Sequence, residues 1–131
     1  MTSKRAYRSG FEESLGDTLV PAGALYEPYK IPYWTPGNYT PDFVFEHGEY
    51  YQILVEAKGW FRPGDTKKYK AIREACMAGG RRELVFILQY PHKKVRKGSK
   101  LTMSQWCEKE GLRWFHKDNL SELIEDIAND S

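Results

Sequence analysis

The runs Pro41-Asp42-Phe43-Val44-Phe45 and Ile53-Leu54-Val55-Glu56-Ala57-Lys58-Gly59 decide how this chain folds. Both have the apolar, β-branched and aromatic makeup of strands, and Glu46-His47-Gly48 between them suits a hairpin turn. Such a hairpin carries the Asp42 carboxylate back beside Glu56. Side chains on a strand alternate between faces, so Glu56 and Lys58 project together while Ala57 points the other way. Two carboxylates and one ammonium then converge. Because Ile53 to Val55 form an apolar approach, the charged triplet stands at the end of a buried strand. Unpaired charge is expensive there, which argues for a site over a solvated polar face.

That grouping suits hydrolysis of a phosphodiester. Carboxylate oxygens hold Mg2+, with Mn2+ as its natural substitute, and such an ion activates water and neutralises charge on the scissile phosphate. Lys58 can orient the attacking water, assist its deprotonation, or set positive charge against the phosphate. The sequence leaves these three roles open.

Composition narrows the partners. At 131 residues the chain reads as one domain, 1–131, with no apolar run long enough to span a bilayer and no signal-peptide core after Met1. A cytoplasmic protein is expected. Cys76 and Cys107 lie in helix-like segments without metal-ligand neighbours, so buried free thiols are expected. His47, His92 and His116 are scattered and read as surface or turn residues. From Lys58 to Lys100 there are thirteen Lys and Arg against three Asp and Glu, a local balance of +10 that leaves −8 on the rest. Clusters at Lys67-Lys68 with Lys70 and Arg73, at Arg81-Arg82, and at Lys93-Lys94, Arg96-Lys97 and Lys100 resemble a phosphate-binding footprint.

The remaining elements follow from caps and periodicity. Ser9-Gly10-Phe11-Glu12 fits a capping box opening a helix with Phe11, Leu15 and Leu19, ended by Pro21 and Gly23. On position alone, Glu12 reads as a capping residue. Leu25 to Ile31 predicts a strand in which Pro28 argues for an edge or a bulge, and Pro32 to Asn38 reads as an extended arm. Asp65 or Thr66 is expected to cap a helix burying Tyr69, Ile72, Cys76 and Met77, stopped by Gly79-Gly80. Glu83 to Gln89 suits a central strand, and 91–100 a basic loop. Thr102 to Gln105 is a second capping box before a helix with Trp106 and Cys107. Leu112 to Phe115 predicts a strand, and Asn119 with Glu122 caps a last helix bearing Leu123, Ile124 and Ile127. This order implies a mixed central sheet covered on both faces.

The blocks Tyr7-Arg8-Ser9-Gly10-Phe11-Glu12, Tyr29-Lys30-Ile31-Pro32-Tyr33, Tyr39-Thr40-Pro41-Asp42-Phe43, Val55-Glu56-Ala57-Lys58-Gly59, Lys67-Lys68, Ile72-Arg73-Glu74, Lys97-Gly98-Ser99 and Trp106-Cys107-Glu108-Lys109 stand in an order that resembles the endonuclease I family of T-odd bacteriophages, Holliday-junction resolvases. The resemblance runs from about Arg8 to about Lys117. The aspartate and Glu-x-Lys are common to the PD-(D/E)xK nuclease superfamily; the flanking blocks carry the narrower likeness.

The resemblance implies an α/β restriction-endonuclease-like fold in a domain-swapped homodimer. The first helix and strand, about 1–31, would be exchanged across a bridge at about 32–39, with a catalytic body from about 40 to 131. It implies a composite site of Glu12 from one subunit with Asp42, Glu56 and Lys58 of the other, two metals held by Asp42, Glu56, Glu12 and the Ala57 main-chain carbonyl, and paired cuts in four-way DNA junctions. Branched DNA is the implied partner, with phosphate contacts from Lys4, Arg5, Arg8, Ser9, Lys67, Lys68, Arg73, Lys93, Lys94, Arg96 and Lys97. A mismatch-nicking or restriction-type nuclease on duplex DNA would share the central motif, and a non-cleaving junction-binding protein would share the basic clusters.

Overall fold

In the computed structural model, which describes residues 7–32, 38–47 and 51–129, helix α1 (Gly10–Leu19) is followed by strands β1 (Ala24–Tyr26), β2 (Ile31–Pro32), β3 (Asn38–Tyr39), β4 (Phe43–His47) and β5 (Tyr51–Lys58). Helix α2 (Asp65–Gly79), strand β6 (Arg82–Leu88), helix α3 (Met103–Lys109), strand β7 (Arg113–His116) and helix α4 (Leu120–Asn129) complete the order. A mixed five-stranded sheet runs β1-β4-β5-β6-β7, and β2 and β3 form a separate ribbon. Pairing is antiparallel from β1 through β5 and parallel from β5 through β7.

The expected hairpin sets the register of everything else. Phe43 pairs with Val55 and His47 with Tyr51, and continuing that register by one residue places Asp42 opposite Glu56. The turn itself, with Gly48, lies outside the described residues. Alternation along the strands then sorts the core into two layers. Val44, Leu54, Leu84, Phe86 and Leu88 face Tyr69, Ile72 and Cys76 of α2 and Met103, Trp106 and Cys107 of α3. Phe43, Phe45, Ile53, Val55, Val85 and Ile87 face Leu15 and Leu19 of α1 and Leu123 and Ile127 of α4. The result is a mixed sheet with helices on both faces, as the element order implied. Among the described residues no helix is long and apolar enough to cross a membrane.

Several local expectations are corrected. The segment 25–31 is not one strand. β1 stops at Tyr26, Glu27 turns to φ 42°, and Pro28 has no N–H for a ladder. Asp65 is not a cap: Gly64, at φ 89°, holds the N-cap position of α2, and the Asp65 carboxylate instead accepts from the Arg62 N–H at 2.9 Å. Met77 is 62 % exposed, because the buried stripe of α2 runs through 65, 69, 72 and 76 and position 77 turns past it. The Thr102/Gln105 capping box forms in full, and Gly80 ends α2 in the left-handed conformation. Gly16, inside α1, leaves room for the Tyr7 ring, which a Cβ would strike. Both cysteines are buried and free, and burial pushes Cys76 up to about 11 and Cys107 up to about 12, so both stay as inert thiols.

The expected bridge at about 32–39 falls largely outside the described residues. Its ends pair in the single chain, Ile31 with Tyr39 and Pro32 with Asn38. Helix α1 packs on the sheet of its own chain.

Candidate active site

The C-terminal ends of β5 and β6, the start of β4 and the N-terminal turn of α1 enclose a cleft of about 630 Å³ lined by Glu12, Asp42, Glu56, Ala57, Lys58 and Lys68 among others. Three of these are charges on adjoining strands. Asp42 is 1 % exposed and Glu56 6 %, yet neither is left without partners. The Ala57 N–H donates to Asp42 Oδ2 at 2.9 Å. Tyr39 donates its hydroxyl to Glu56 Oε1 at 2.6 Å, and Tyr69 donates to Oε2 at 2.8 Å.

Burial and crowding of like charge set the electrostatics. Burial first, then the Glu56 charge, push Asp42 from an ordinary 3.8 up to about 9, outweighing the Ala57 N–H and the Arg8 guanidinium. Burial likewise raises Glu56, against the opposing pull of Lys58 and the two tyrosine hydroxyls. A buried pair of carboxylates that resists ionisation is a site that gains from a cation.

Lys58 arrives on the same face as Glu56, as the period of two requires. Its ammonium lies 4.0 Å from Glu56 Oε2, 3.3 Å from Asp65 Oδ2 and 5.0 Å from the Tyr69 ring centre. Asp65, which its position in the sequence marks as a cap, is therefore the group that tethers this lysine.

Glu12 joins the cleft from α1. Ser9 Oγ caps the helix by accepting from the Glu12 N–H at 3.1 Å, but the Glu12 side chain turns inward, where Tyr26 donates to Oε1 at 2.6 Å. Carboxylate oxygens of Glu12, Glu27 and Asp42 all lie within 4.8 Å of one another and could hold a metal ion. Glu27 is the member that sequence reasoning missed. Its only sequence signal is that it precedes Pro28, where an edge or a bulge is expected. The Arg8 guanidinium stands among these acids, 2.7 Å from Glu27 Oε2, 3.4 Å from Asp42 Oδ1 and 4.0 Å from Glu12 Oε1. A cation already occupies the space the three carboxylates define.

Of the residues expected to meet phosphate, Arg8, Ser9 and Lys68 line the cleft. Lys67, Lys93, Lys94, Arg96 and Lys97 are exposed and Arg73 is half-buried, all outside that lining. The loop of 91–100 is built around buried Val95, whose N–H donates to the Leu101 carbonyl at 2.9 Å, so its basic side chains stand on a fixed support. Lys4 and Arg5 lie outside the described residues.

The family described as phage endonuclease I matches residues 1–129. Endodeoxyribonuclease 1 of Enterobacteria phage T3 is 34% identical over 121 residues, covering 88% of this chain and 75% of that protein. Endonuclease I of Escherichia phage T7 is 33% identical over 117 residues, covering 86% and 74%.

Proposed function

The chain belongs to the phage endonuclease I family, and from that premise we propose that it is a metal-dependent endodeoxyribonuclease resolving four-way and other branched DNA junctions, built on a PD-(D/E)xK fold. The observation that carries this reading is the convergence of Asp42, Glu56 and Lys58 at the end of one hairpin, in a cleft that also holds Glu12.

The donor set suits a hard divalent cation. Asp42, Glu56, Glu12 and the Ala57 main-chain carbonyl would hold Mg2+, with Glu27 as a further oxygen donor and Mn2+ as a substitute. When bound, the ion supplies an activated water and neutralises charge on the phosphate. The protein's own groups do the rest. Tyr39 and Tyr69 fix the Glu56 carboxylate from both oxygens, and Asp65 holds Lys58 beside it. The ammonium is thereby aimed into the cleft, where it donates to the attacking water or to a phosphoryl oxygen as negative charge builds up. Arg8 would leave the carboxylates as the cation enters, which frees its guanidinium for a flanking phosphate.

Two sites are needed to cut two strands, so the working form is proposed to be a homodimer. The surface that α1 and β1 bury on the sheet within one chain is equally complementary to the same segment of a second copy, and the Ile31/Tyr39 register can be made between copies as well as within one. In that exchanged form each site combines Glu12 of one subunit with Asp42, Glu56 and Lys58 of the other. Lys67, Lys68, Arg73 and the loop of 91–100 would track DNA backbones, giving selectivity by shape. The deciding experiment compares an immobile four-way junction with a linear duplex of equal length, in Mg2+ and in EDTA. Metal-dependent paired cuts near the branch point support the proposal; equal cutting of both DNAs replaces it with a general or mismatch nuclease.

A further inference from the structure

We propose that Trp60 is a stacking platform for a nucleobase opened beside the scissile phosphate, so that the cleft reads exposed bases at a branch as well as backbone shape. The inference rests on the nuclease reading and adds a base contact to it.

Trp60 follows Lys58 by two residues, lines the cleft and is 52 % exposed. A half-exposed aromatic is ordinary by itself, but the next residue shows that an inward place was available. Phe61 is 6 % exposed and packs edge-to-face on Trp106 at 5.2 Å and on Phe86 at 6.1 Å. Of two adjacent aromatics, one anchors the segment in the core and the other is presented over the cleft.

The backbone on either side of Trp60 is held. Before Trp60, the Gln89 N–H donates to the Lys58 carbonyl at 2.9 Å; after it, Phe61 is buried and the Arg62 N–H is held by Asp65 at 2.9 Å. A ring carried on backbone held on both sides loses less freedom on stacking than one on a free loop, the condition under which an aromatic contact is strong.

Its company is cationic. The Arg62 guanidinium lies 5.7 Å from the Trp60 ring centre, and Lys68 lines the same cleft. Aromatic faces set among Lys and Arg are the composition of sites that hold unpaired nucleic acid regardless of sequence, since every base has a π face and every nucleotide a phosphate. A second exposed aromatic, Tyr90 at 53 %, follows the end of β6 as Trp60 follows the end of β5, and those strands are parallel neighbours pairing Lys58 with Leu88. Two exposed rings thus follow the C-terminal ends of neighbouring strands, and Trp60 is the one that lines the cleft with the reacting groups. In a continuous duplex the faces of the bases are covered by stacking; at a branch point they open at modest cost, so a platform here favours branched over linear DNA.

The test uses an immobile four-way junction carrying 2-aminopurine at the branch point. Binding is read with the full-length Lys58→Ala protein, with and without Trp60→Ala; cleavage is read with wild type, Trp60→Ala and Trp60→Phe. The proposal expects the 2-aminopurine signal to change on binding and that change to vanish with Trp60→Ala. It also expects the ratio of junction to duplex cleavage to fall roughly tenfold in Trp60→Ala and to be recovered by Trp60→Phe. An unaltered signal and ratio in Trp60→Ala would overturn the stacking role while leaving the nuclease reading intact. A shift in the sedimentation of Trp60→Ala relative to wild type would also overturn it, by assigning the ring to a subunit contact. A wild-type protein that cuts no DNA in Mg2+ removes both readings together.

Discussion

Ala57 donates its main-chain N–H to Asp42 Oδ2 at 2.9 Å, so the aspartate at the start of one strand is held by the backbone between the glutamate and lysine of the next. This bond orients a carboxylate whose ionisation burial opposes. Asp42 titrates at about 9 in the folded chain against an ordinary 3.8. Between those values the folded protein retains a proton that the unfolded chain releases, so the stability it confers is present below about pH 4 and is lost as pH rises through about 9. Melting in EDTA should therefore fall across that range. Asp42→Asn keeps an oxygen for the Ala57 N–H and should flatten the slope, melting ~3 °C or more above wild type at the alkaline end. A melting temperature that climbs with pH in EDTA would refute this assignment.

The tyrosine pair on Glu56 makes a separate prediction. Removing either hydroxyl leaves a buried carboxylate oxygen short of a donor, which costs about 1–3 kcal/mol. Tyr39→Phe and Tyr69→Phe should each lower the denaturation midpoint and weaken Mn2+ binding measured by calorimetry. Unchanged stability and metal affinity in both variants would mean that water replaces the phenols without penalty.

If the site is composite, subunits can complement one another. A heterodimer of Glu12→Ala and Asp42→Ala subunits contains one site with both acids and one with neither, and it should nick a single strand of a four-way junction. Each homodimeric variant should be inactive. An inactive heterodimer would show that Glu12 and Asp42 act within one chain.

The basic loop is expected to act on backbone rather than on base sequence. Replacing Lys93, Lys94, Arg96 and Lys97 together with Ala should weaken junction binding and make its salt dependence shallower by about 0.9 for every phosphate that the variant no longer neutralises, with little change in the cutting position. A salt slope identical to wild type would remove the loop from the DNA interface.

The sequence carried the hairpin, the two-faced sheet and the convergence of Asp42, Glu56 and Lys58, because each depends on a period of two within a short run. It was silent where side chains choose distant partners. Glu12 fits a capping box by spacing, yet its carboxylate goes to Tyr26, a pairing across a turn that local patterns do not encode. Asp65 looks like a cap until Gly64 takes that position and the carboxylate turns back to Lys58. Glu27 comes within 4.8 Å of Glu12 and Asp42 from a turn at φ 42° that follows an edge strand, and nothing in the run Tyr26-Glu27-Pro28 specifies that the neighbouring strand begins at an acid. Tyr69 reads as an ordinary core aromatic and Tyr39 as the end of the extended bridge; only the fold shows both hydroxyls meeting one carboxylate.

The central claim is that Asp42, Glu56 and Lys58 perform chemistry on bound DNA. Its most direct test measures junction binding and Mg2+-dependent junction cleavage side by side for wild type, Lys58→Ala and Glu56→Ala. The predicted result is binding within about threefold of wild type with cleavage reduced at least ~10³-fold in both variants. Cleavage at the wild-type rate in Lys58→Ala, or binding that falls in step with cleavage, would contradict it.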